Sequence, residues 1–291
     1  MIKISNISKS IDKTSILENI DIEIKKGSVF GLIGVNGAGK STLLRLMSGV
    51  YKPDKGTITY DGEPVYDNAA VKQKIFFISD SVDGYSDMTP KQLKAFVKNY
   101  YPNFSDELFD TLCEKLKLDT DKRMAVFSKG MKRQVLMIAG LAARTEYLLM
   151  DEAFDGLDIS MKKTVTGIIF DEVMDRGLTV VISSHNISEI SALCDSAAMI
   201  KDRTVAFCKE TGSEFEIFKV NAAFEGDFTP ESLSELNILK SEKTGSVWSM
   251  IIKNSREEIE TSVSAHSPMF TDIFPLNLEE LFLYEAENHN T

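Results

Sequence analysis

The chain has 291 residues, which exceeds the usual size of one domain and predicts one large unit with a small second one. Its formal net charge of −11 opposes binding to a polyphosphate backbone and disfavours sequence-independent nucleic-acid binding. Three widely spaced cysteines without a C-x-x-C pair argue against a disulfide framework or a zinc site and favour a reducing cytoplasm.

The first part of the chain combines strand patterns with one helix pattern. From residue 16, ILENIDIEIKKG places isoleucine at alternate positions, which predicts a half-exposed strand. SVFGLIG then predicts a short apolar strand that runs into VNGAGKSTLLRLMSGV, so we expect a strand, a glycine loop and a helix over residues 28–50. KPDKGTITYDG supplies turns around another short strand.

Buried strands and helices continue to alternate further along the chain. IFFIS predicts a buried strand, and TPKQLKAFVKNYY opens with a capping box of Thr89 and Gln92 that has Pro90 at the first helical position. Helices are then expected at about 105–117, after FSKGM and at about 160–176, with YLLMD and LTVVISS as buried strands. This alternation indicates an α/β fold with a largely parallel sheet.

The pattern changes beyond about residue 203. EFEIFKV and SVWSMIIK alternate as strands do, and SREEIETSVSAHS has a helical pattern. NLEELFLYEAE is expected to close the chain with Leu278, Leu281 and Phe282 on one face. We therefore predict two domains, a larger one over residues 1–208 and a small α+β accessory domain over residues 209–291.

A glycine-rich stretch, GVNGAGKS, carries the strongest chemical signal. It fits G-x-x-x-x-G-K-[ST] and lies between a predicted strand and a predicted helix, the context that a phosphate-binding loop requires. Gly34, Gly37 and Gly39 let backbone N–H groups close around phosphates at a helix N-terminus. Lys40 is expected to reach the β- and γ-phosphates and the Ser41 hydroxyl to ligate magnesium, whereas a plain glycine turn is the structural alternative.

Polar residues follow two other buried strands. Asp151 and Glu152 end YLLMDE, where Asp151 is suited to the magnesium shell and Glu152 to polarising an attacking water; an ordinary capping turn explains the same letters. His185 follows VVISS. Because the carboxyl ends of parallel strands share one edge of a sheet, we expect Lys40, Asp151, Glu152 and His185 to gather there.

The stretch FSKGMKRQ places Gly130 inside the first turn of a helix. Glycine costs roughly 1 kcal/mol against alanine in a helix interior. Something other than helix stability therefore requires bare backbone at this point.

Together these motifs resemble those of the ATP-binding cassette (ABC) family, the nucleotide-hydrolysing subunits of ABC transporters, over roughly residues 2–208. The resemblance implies a P-loop NTPase core with a mainly parallel sheet, an antiparallel β subdomain and an α-helical insert at about 85–145. It also implies that two subunits enclose two ATP molecules with Mg²⁺. Each ATP then lies between one subunit's phosphate loop and the other's signature motif, usually LSGGQ and here FSKGM.

The resemblance assigns further residues to the nucleotide. It implies that Asn36, Ala38 and Thr42 belong to the phosphate loop with Gly34, Gly37, Gly39, Lys40 and Ser41. Ser128 and Gly130 would contact the γ-phosphate across the dimer, and Asp158, in FDGLD, would cross the interface, although a type I turn also explains FDGLD.

The sequence departs from the family pattern at four positions. Asp80 stands where the family usually has a glutamine and would join Ser41 and Asp151 at the metal, and Ile11 stands where an aromatic residue usually stacks on adenine. In the signature motif, Lys129 replaces a glycine and Met131 replaces a glutamine.

The resemblance predicts an ATPase subunit of an exporter-type ABC transporter, with Glu152, His185 and Lys40 as the catalytic residues. No run of about 18 apolar residues occurs, so transmembrane permease subunits must be separate chains and this chain would lie on the cytoplasmic face of the membrane. The dimer would contain two identical or two different ATP-binding subunits and would not bind nucleic acid.

Two alternatives remain open. A soluble ABC-type ATPase that acts on nucleic acid or ribosomes is disfavoured by the single cassette, the short segment between Lys40 and Ser128 and the acidic charge. A regulatory module that no longer hydrolyses ATP is suggested by Ile11, Asp80 and Lys129, but Lys40, Glu152 and His185 are all present.

Overall fold

A computed structural model describes most of the chain. The described residues are 1–81, 83–210, 217–226, 228–276, 280 and 284. Contacts divide the chain into two compact units, residues 1–211 and residues 212–291. No helix among the described residues is long and apolar enough to cross a membrane.

The first unit alternates strands and helices along most of its length. Its strands are β1 (Ile2–Ile11), β2 (Thr14–Ile24), β3 (Val29–Ile33), β4 (Lys55–Tyr60), β5 (Glu63–Pro64), β6 (Ile75–Ile78), β7 (Tyr147–Asp151), β8 (Thr179–Ser184), β9 (Ser196–Lys201) and β10 (Thr204–Glu210). Its helices are α1 (Lys40–Met47), α2 (Ala69–Lys72), α3 (Pro90–Lys98), α4 (Asp106–Lys115), α5 (Lys129–Ala142), α6 (Ile159–Arg176) and α7 (Ile187–Leu193).

The central sheet of this unit has the order β10-β9-β3-β8-β7-β6 among the described residues. Strands β9, β3, β8, β7 and β6 are parallel, and β10 joins the edge in the antiparallel direction. Every residue of β3, β7 and β8 is buried, as expected for parallel strands covered on both faces. The predicted α/β fold with a largely parallel sheet is confirmed, and the carboxyl ends of β3, β7 and β8 lie at one edge.

A second, antiparallel sheet has the order β2-β1-β4-β5. The alternating isoleucines of β2 put Ile20, Ile22 and Ile24 into the core, where they pack with Leu43 and Leu44 of α1. The sheet therefore supports the helix that follows the glycine loop.

Helices α3, α4 and α5 lie in the chain between β6 and β7. The predicted capping box of α3 is confirmed: the Gln92 N–H donates to Thr89 Oγ1 at 3.2 Å and the Thr89 N–H donates to Gln92 Oε1 at 2.9 Å. Most of α5 is buried, because its residues after the first turn are mainly apolar on all faces of the helix.

The second unit contains β11 (Phe218–Ala223), β12 (Ile238–Thr244), β13 (Val247–Ile252), α8 (Arg256–Ser264) and β14 (Phe270–Pro275). The antiparallel order β12-β13-β11-β14 resembles a ferredoxin-like arrangement in which a 3-10 turn at Pro230–Ser232 stands in place of the first helix. Ile259 and Val263 of α8 pack on Val220 and Met250 of the sheet. The predicted apolar face of Leu278, Leu281 and Phe282 lies outside the described residues.

Candidate functional site

The glycine loop between β3 and α1 has a shape that larger residues would disturb. Gly39 is the N-cap of α1 with φ of 105°, and Gly37 has φ of 84°, both in the left-handed region. A Cβ on Gly39 would lie 2.7 Å from Leu17 Cδ2, and one on Gly34 would lie 2.7 Å from the Ile200 carbonyl oxygen. The loop therefore needs glycine for backbone conformation and for close packing.

Lys40 is held inside this loop. Its side chain is 5% exposed, and its Nζ donates to the Gly34 carbonyl at 2.7 Å and to the Val35 carbonyl at 3.3 Å. The same Nζ lies 3.3 Å from Glu152 Oε1, at the end of β7. A fixed ammonium group at a helix N-terminus is suited to an anionic ligand such as a polyphosphate.

Asp151 is completely buried at the end of β7. Ser183 Oγ donates to Asp151 Oδ1 at 2.7 Å, whereas Asp151 Oδ2 is buried without a hydrogen-bond partner among the described residues. Burial raises the pKa of Asp151; the hydroxyls of Ser183 and Ser41 oppose this shift, and the charge of Asp80 adds to it. A buried carboxylate oxygen without a partner, beside a serine hydroxyl, suits a hard cation such as Mg²⁺.

Glu152 has a strained backbone and a well-positioned side chain. Its φ of 47° is in the left-handed region, which is uncommon for a residue with a Cβ, and its N–H donates to Ser183 Oγ at 3.0 Å. Its Oε1 faces Lys40 and its Oε2 lies 2.8 Å from His185 Nδ1. A carboxylate fixed in this way can accept a proton from a water molecule.

His185 lies directly after β8, and Asn186 caps α7 by accepting from the Glu189 N–H at 3.4 Å. The possible ligand atoms of Glu152, Asp155 and His185 lie within 4.8 Å of one another. Each of the two carboxylates also faces a cation, Lys40 at 3.3 Å for Glu152 and Arg133 at 3.9 Å for Asp155. Pairing within the protein therefore accounts for this cluster without a metal ion.

Asp80 lies two residues beyond the end of β6. Its Oδ1 is 3.3 Å from Arg45 Nη2 of α1, so the carboxylate has a cationic partner next to the predicted metal ligands. The side chain is about half exposed, at 48%. Its charge adds to the rise in the pKa of Asp151, whereas the hydroxyl of Ser41 opposes that rise. The metal site of Asp80, Ser41 and Asp151 therefore stays a prediction.

The first turn of α5 carries the predicted signature residues. Ser128 is the N-cap, and its Oγ accepts from the Met131 N–H at 3.2 Å, which leaves the hydroxyl proton available to a ligand. A Cβ on Gly130 would lie 2.5 Å from the Gly156 carbonyl oxygen. Bare backbone at Gly130 is therefore required by packing within the chain, a reason that the sequence does not reveal.

The remaining predicted residues lie on several elements of the first unit. Asp158 is the N-cap of α6 and accepts from the Met161 N–H at 2.8 Å, so it has a structural role of its own. Ile11 ends β1 in the antiparallel sheet and is 37% exposed. In the loop and α1, Asn36 is exposed, Ala38 is partly buried and Thr42 is buried.

Several residues of the site were missed by sequence reasoning. Ser183 connects Asp151 with the backbone of Glu152, Asp155 and Gly156 pack against α5, and Arg133 is buried beside them. The sequence shows the two serines that end VVISS and the arginine in SKGMKRQ, but it does not show which residues they contact.

Comparisons with known proteins show the family to which the chain is similar. The family described as ABC transporter matches residues 17–155. The ABC transporter ATP-binding protein YtrB of Bacillus subtilis is 30% identical over 284 residues, covering 97% of each chain. The linearmycin resistance ATP-binding protein LnrL of the same species is 32% identical over 206 residues, 69% of this chain and 66% of that protein. A dimeric post-hydrolysis ATP-binding cassette bound to ADP and Pi superimposes with a TM-score of 0.65 at 20% identity, over 72% of this chain and 98% of that one.

Proposed function

Because the chain belongs to the family of ABC transporter ATP-binding proteins and is an ATPase, we propose that it dimerises around two ATP molecules to drive separate transmembrane subunits of an exporter. The observation that carries this proposal is the convergence of Lys40, Glu152 and His185 at the carboxyl edge of the parallel sheet. Ligands of open α/β sheets bind at this edge.

Hydrolysis requires a bound phosphate, a water molecule and a base. In this proposal Lys40 and the N–H groups of the glycine loop bind the β- and γ-phosphates. Glu152 Oε2 accepts the proton of the attacking water while His185 Nδ1 holds the Glu152 carboxylate in place. Lys40 beside Oε1 fixes the other end of that carboxylate.

The proposed metal site consists of Ser41, Asp80 and Asp151. The free oxygen of Asp151 and the Ser41 hydroxyl are the oxygen ligands that Mg²⁺ prefers. A magnesium ion held by these residues would supply positive charge beside the phosphates. Asp80 can join this site from its position beside Arg45.

The dimer proposal assigns Ser128, Gly130 and Asp158 to the partner's nucleotide. The free hydroxyl proton of Ser128 and the first N–H groups of α5 form an anion-binding helix N-terminus. Support also comes from the solved cassette with ADP and Pi, which is a dimer. Asp158 can serve the interface while it caps α6, because a carboxylate accepts more than one hydrogen bond.

Export is the proposed direction because a relative at 32% identity is named for resistance to linearmycin. The partners would be permease subunits on separate chains, and the ATPase would be attached to the cytoplasmic face of the membrane through them. Co-purification with a membrane subunit, followed by nucleotide-driven transport into inverted vesicles, tests the direction.

Replacement of the proposed base tests the dimer. Glu152→Gln should abolish turnover but retain ATP, because the amide fills the same space without accepting the proton. Sedimentation of this variant with Mg²⁺ and ATP should then show a dimer that dissociates when ATP is removed. Glu146→Gln, on an exposed carboxylate that pairs with Lys26, is the matched control and should behave like the wild type. Unchanged hydrolysis by Glu152→Gln would reject the role of the base.

A further inference from the structure

Arg133, three residues after Gly130 on α5, is a buried cation. Its side chain is 2% exposed, although a guanidinium group normally lies at the surface. Nη1 donates to the Asp155 carbonyl and lies 3.9 Å from Asp155 Oδ2, and Nη2 donates to the Asp80 carbonyl at 3.5 Å. Nε is buried without a hydrogen-bond partner among the described residues.

Burial of this guanidinium group needs compensating contacts, because a buried charge costs free energy unless it is paired and hydrogen-bonded. The planar guanidinium fork can donate to two carbonyls that lie in different directions, whereas a lysine offers one compact ammonium group. The contacts of Arg133 therefore favour arginine specifically and not merely a positive charge.

The two carbonyls belong to two segments of the candidate site. Asp155 lies in the turn that follows Glu152, and its N–H donates to the Glu152 carbonyl at 3.2 Å, so its position is connected with that of the proposed base. Asp80 follows β6, and its carboxylate lies 3.3 Å from Arg45 of α1, the helix that follows the glycine loop. Gly130, one turn before Arg133, packs on the Gly156 carbonyl of the same turn.

We propose that Arg133 is a positioning residue that holds the turn after Glu152 and the segment after β6 against the first turns of α5. It acts through the backbone of Asp155 and Asp80 and does not touch the nucleotide. One chain thereby links its own hydrolytic carboxylate to the helix that carries Ser128 and Gly130. The proposal rests on the ATPase activity of the family and needs no assumption about the dimer.

Variants of Arg133 separate positioning from folding. Arg133→Lys keeps the charge and most of the volume, and Arg133→Gln removes the charge but keeps one NH₂ donor group. The control is Arg144→Lys, because Arg144 follows the other end of α5 and donates to both carboxylate oxygens of Glu172 at 3.0 and 2.9 Å, away from the candidate site.

Two measurements on the full chain are expected to distinguish the variants. The kcat of Arg133→Lys should fall by about tenfold or more, since small displacements of a catalytic group have effects of this size, while the Kd for ATP stays within about twofold of the wild type. Hydrogen–deuterium exchange without nucleotide should become faster at residues 152–158 and 79–81 and stay unchanged at β3 and α1. Arg144→Lys should leave kcat, Kd and exchange in both segments unchanged.

Other results would overturn the proposal. A folded Arg133→Lys protein with wild-type kcat and wild-type exchange shows that the contacts do not position the site. Faster exchange throughout the first unit, with equal losses of kcat and ATP affinity, shows that Arg133 only stabilises the fold. If the wild type itself does not hydrolyse ATP, the exchange measurement still decides the positioning role, so the two failures are distinguishable.

Discussion

Gly130 packs so closely on Gly156 that a Cβ on Gly130 would lie 2.5 Å from the Gly156 carbonyl oxygen. The two glycines come from the first turn of α5 and from the turn after Glu152, where Gly156 has φ of 77°. The candidate signature motif and the segment after the proposed base are therefore in direct contact within one chain.

Two glycine substitutions in helices should have opposite effects. Gly130→Ala introduces a contact with backbone and should lower the free energy of unfolding by roughly 1 to 3 kcal/mol, the usual cost of overpacking. Gly167→Ala in α6 meets nothing within 4 Å and should raise it by roughly 0.5 to 1 kcal/mol. Urea titration of both variants and their ATPase rates check this. A Gly130→Ala protein as stable and as active as the wild type would contradict this, because the turn that contains Gly156 would then move aside at little cost.

Complementation should reveal whether Ser128 acts in the partner's site. Ser128→Asp keeps a good N-cap but places a carboxylate where the γ-phosphate is proposed to bind. Lys40→Ala removes the cation of the proposed phosphate-binding loop. Neither chain should hydrolyse ATP alone. Half of randomly formed dimers contain one chain of each kind, and one of the two sites in such a dimer is intact. An equal mixture should therefore regain up to about a quarter of wild-type activity. A mixture of Lys40→Ala with Lys40→Met is the control, and an inactive test mixture would contradict the proposed dimer.

Asp80 should make nucleotide binding depend unusually strongly on magnesium. Its carboxylate adds a negative charge beside Asp151 that a glutamine would not, although Arg45 partly neutralises it. Asp80→Gln should lower the magnesium concentration needed for hydrolysis or improve metal-free ATP binding. Asp83→Asn, at an exposed carboxylate paired with Lys132, is the control. Superimposable magnesium titrations for the wild type and Asp80→Gln would refute the assignment.

Asp151 should destabilise the metal-free protein at neutral pH. Burial raises its pKa above the ordinary value of 3.8, so the folded protein binds this proton more tightly than the unfolded chain does. The contribution of this group to stability therefore decreases as the pH rises above that ordinary value. Asp151→Asn should raise the free energy of unfolding at pH 7, and the gain should shrink towards pH 4.

Thermal unfolding of both proteins with and without Mg²⁺-ATP checks this expectation. The variant should also lose the stabilisation that Mg²⁺ adds to ATP, because the proposed metal ligand is gone. A wild-type protein that is more stable than Asp151→Asn at pH 7 without metal would contradict the pKa argument.

The sequence by itself determined the fold class, the glycine loop between β3 and α1 and the acidic pair at the end of β7. These features follow from local rules: the period of apolar residues, the conformational freedom of glycine and the direction of parallel strands. Because parallel strands end at one edge, the sequence also predicted the meeting of Lys40, Glu152 and His185, which the structure confirms.

Only the tertiary structure decided which side chains and carbonyls pair across that edge. The contact of Gly130 with Gly156, the two carbonyls on Arg133 and the pairing of Asp80 with Arg45 all join residues far apart in the chain. Such contacts depend on how helices dock on the sheet, and helix packing is set by side-chain volumes over many residues at once. A local pattern can therefore show that Gly130 requires bare backbone, but only the packed molecule shows which atom lies against it.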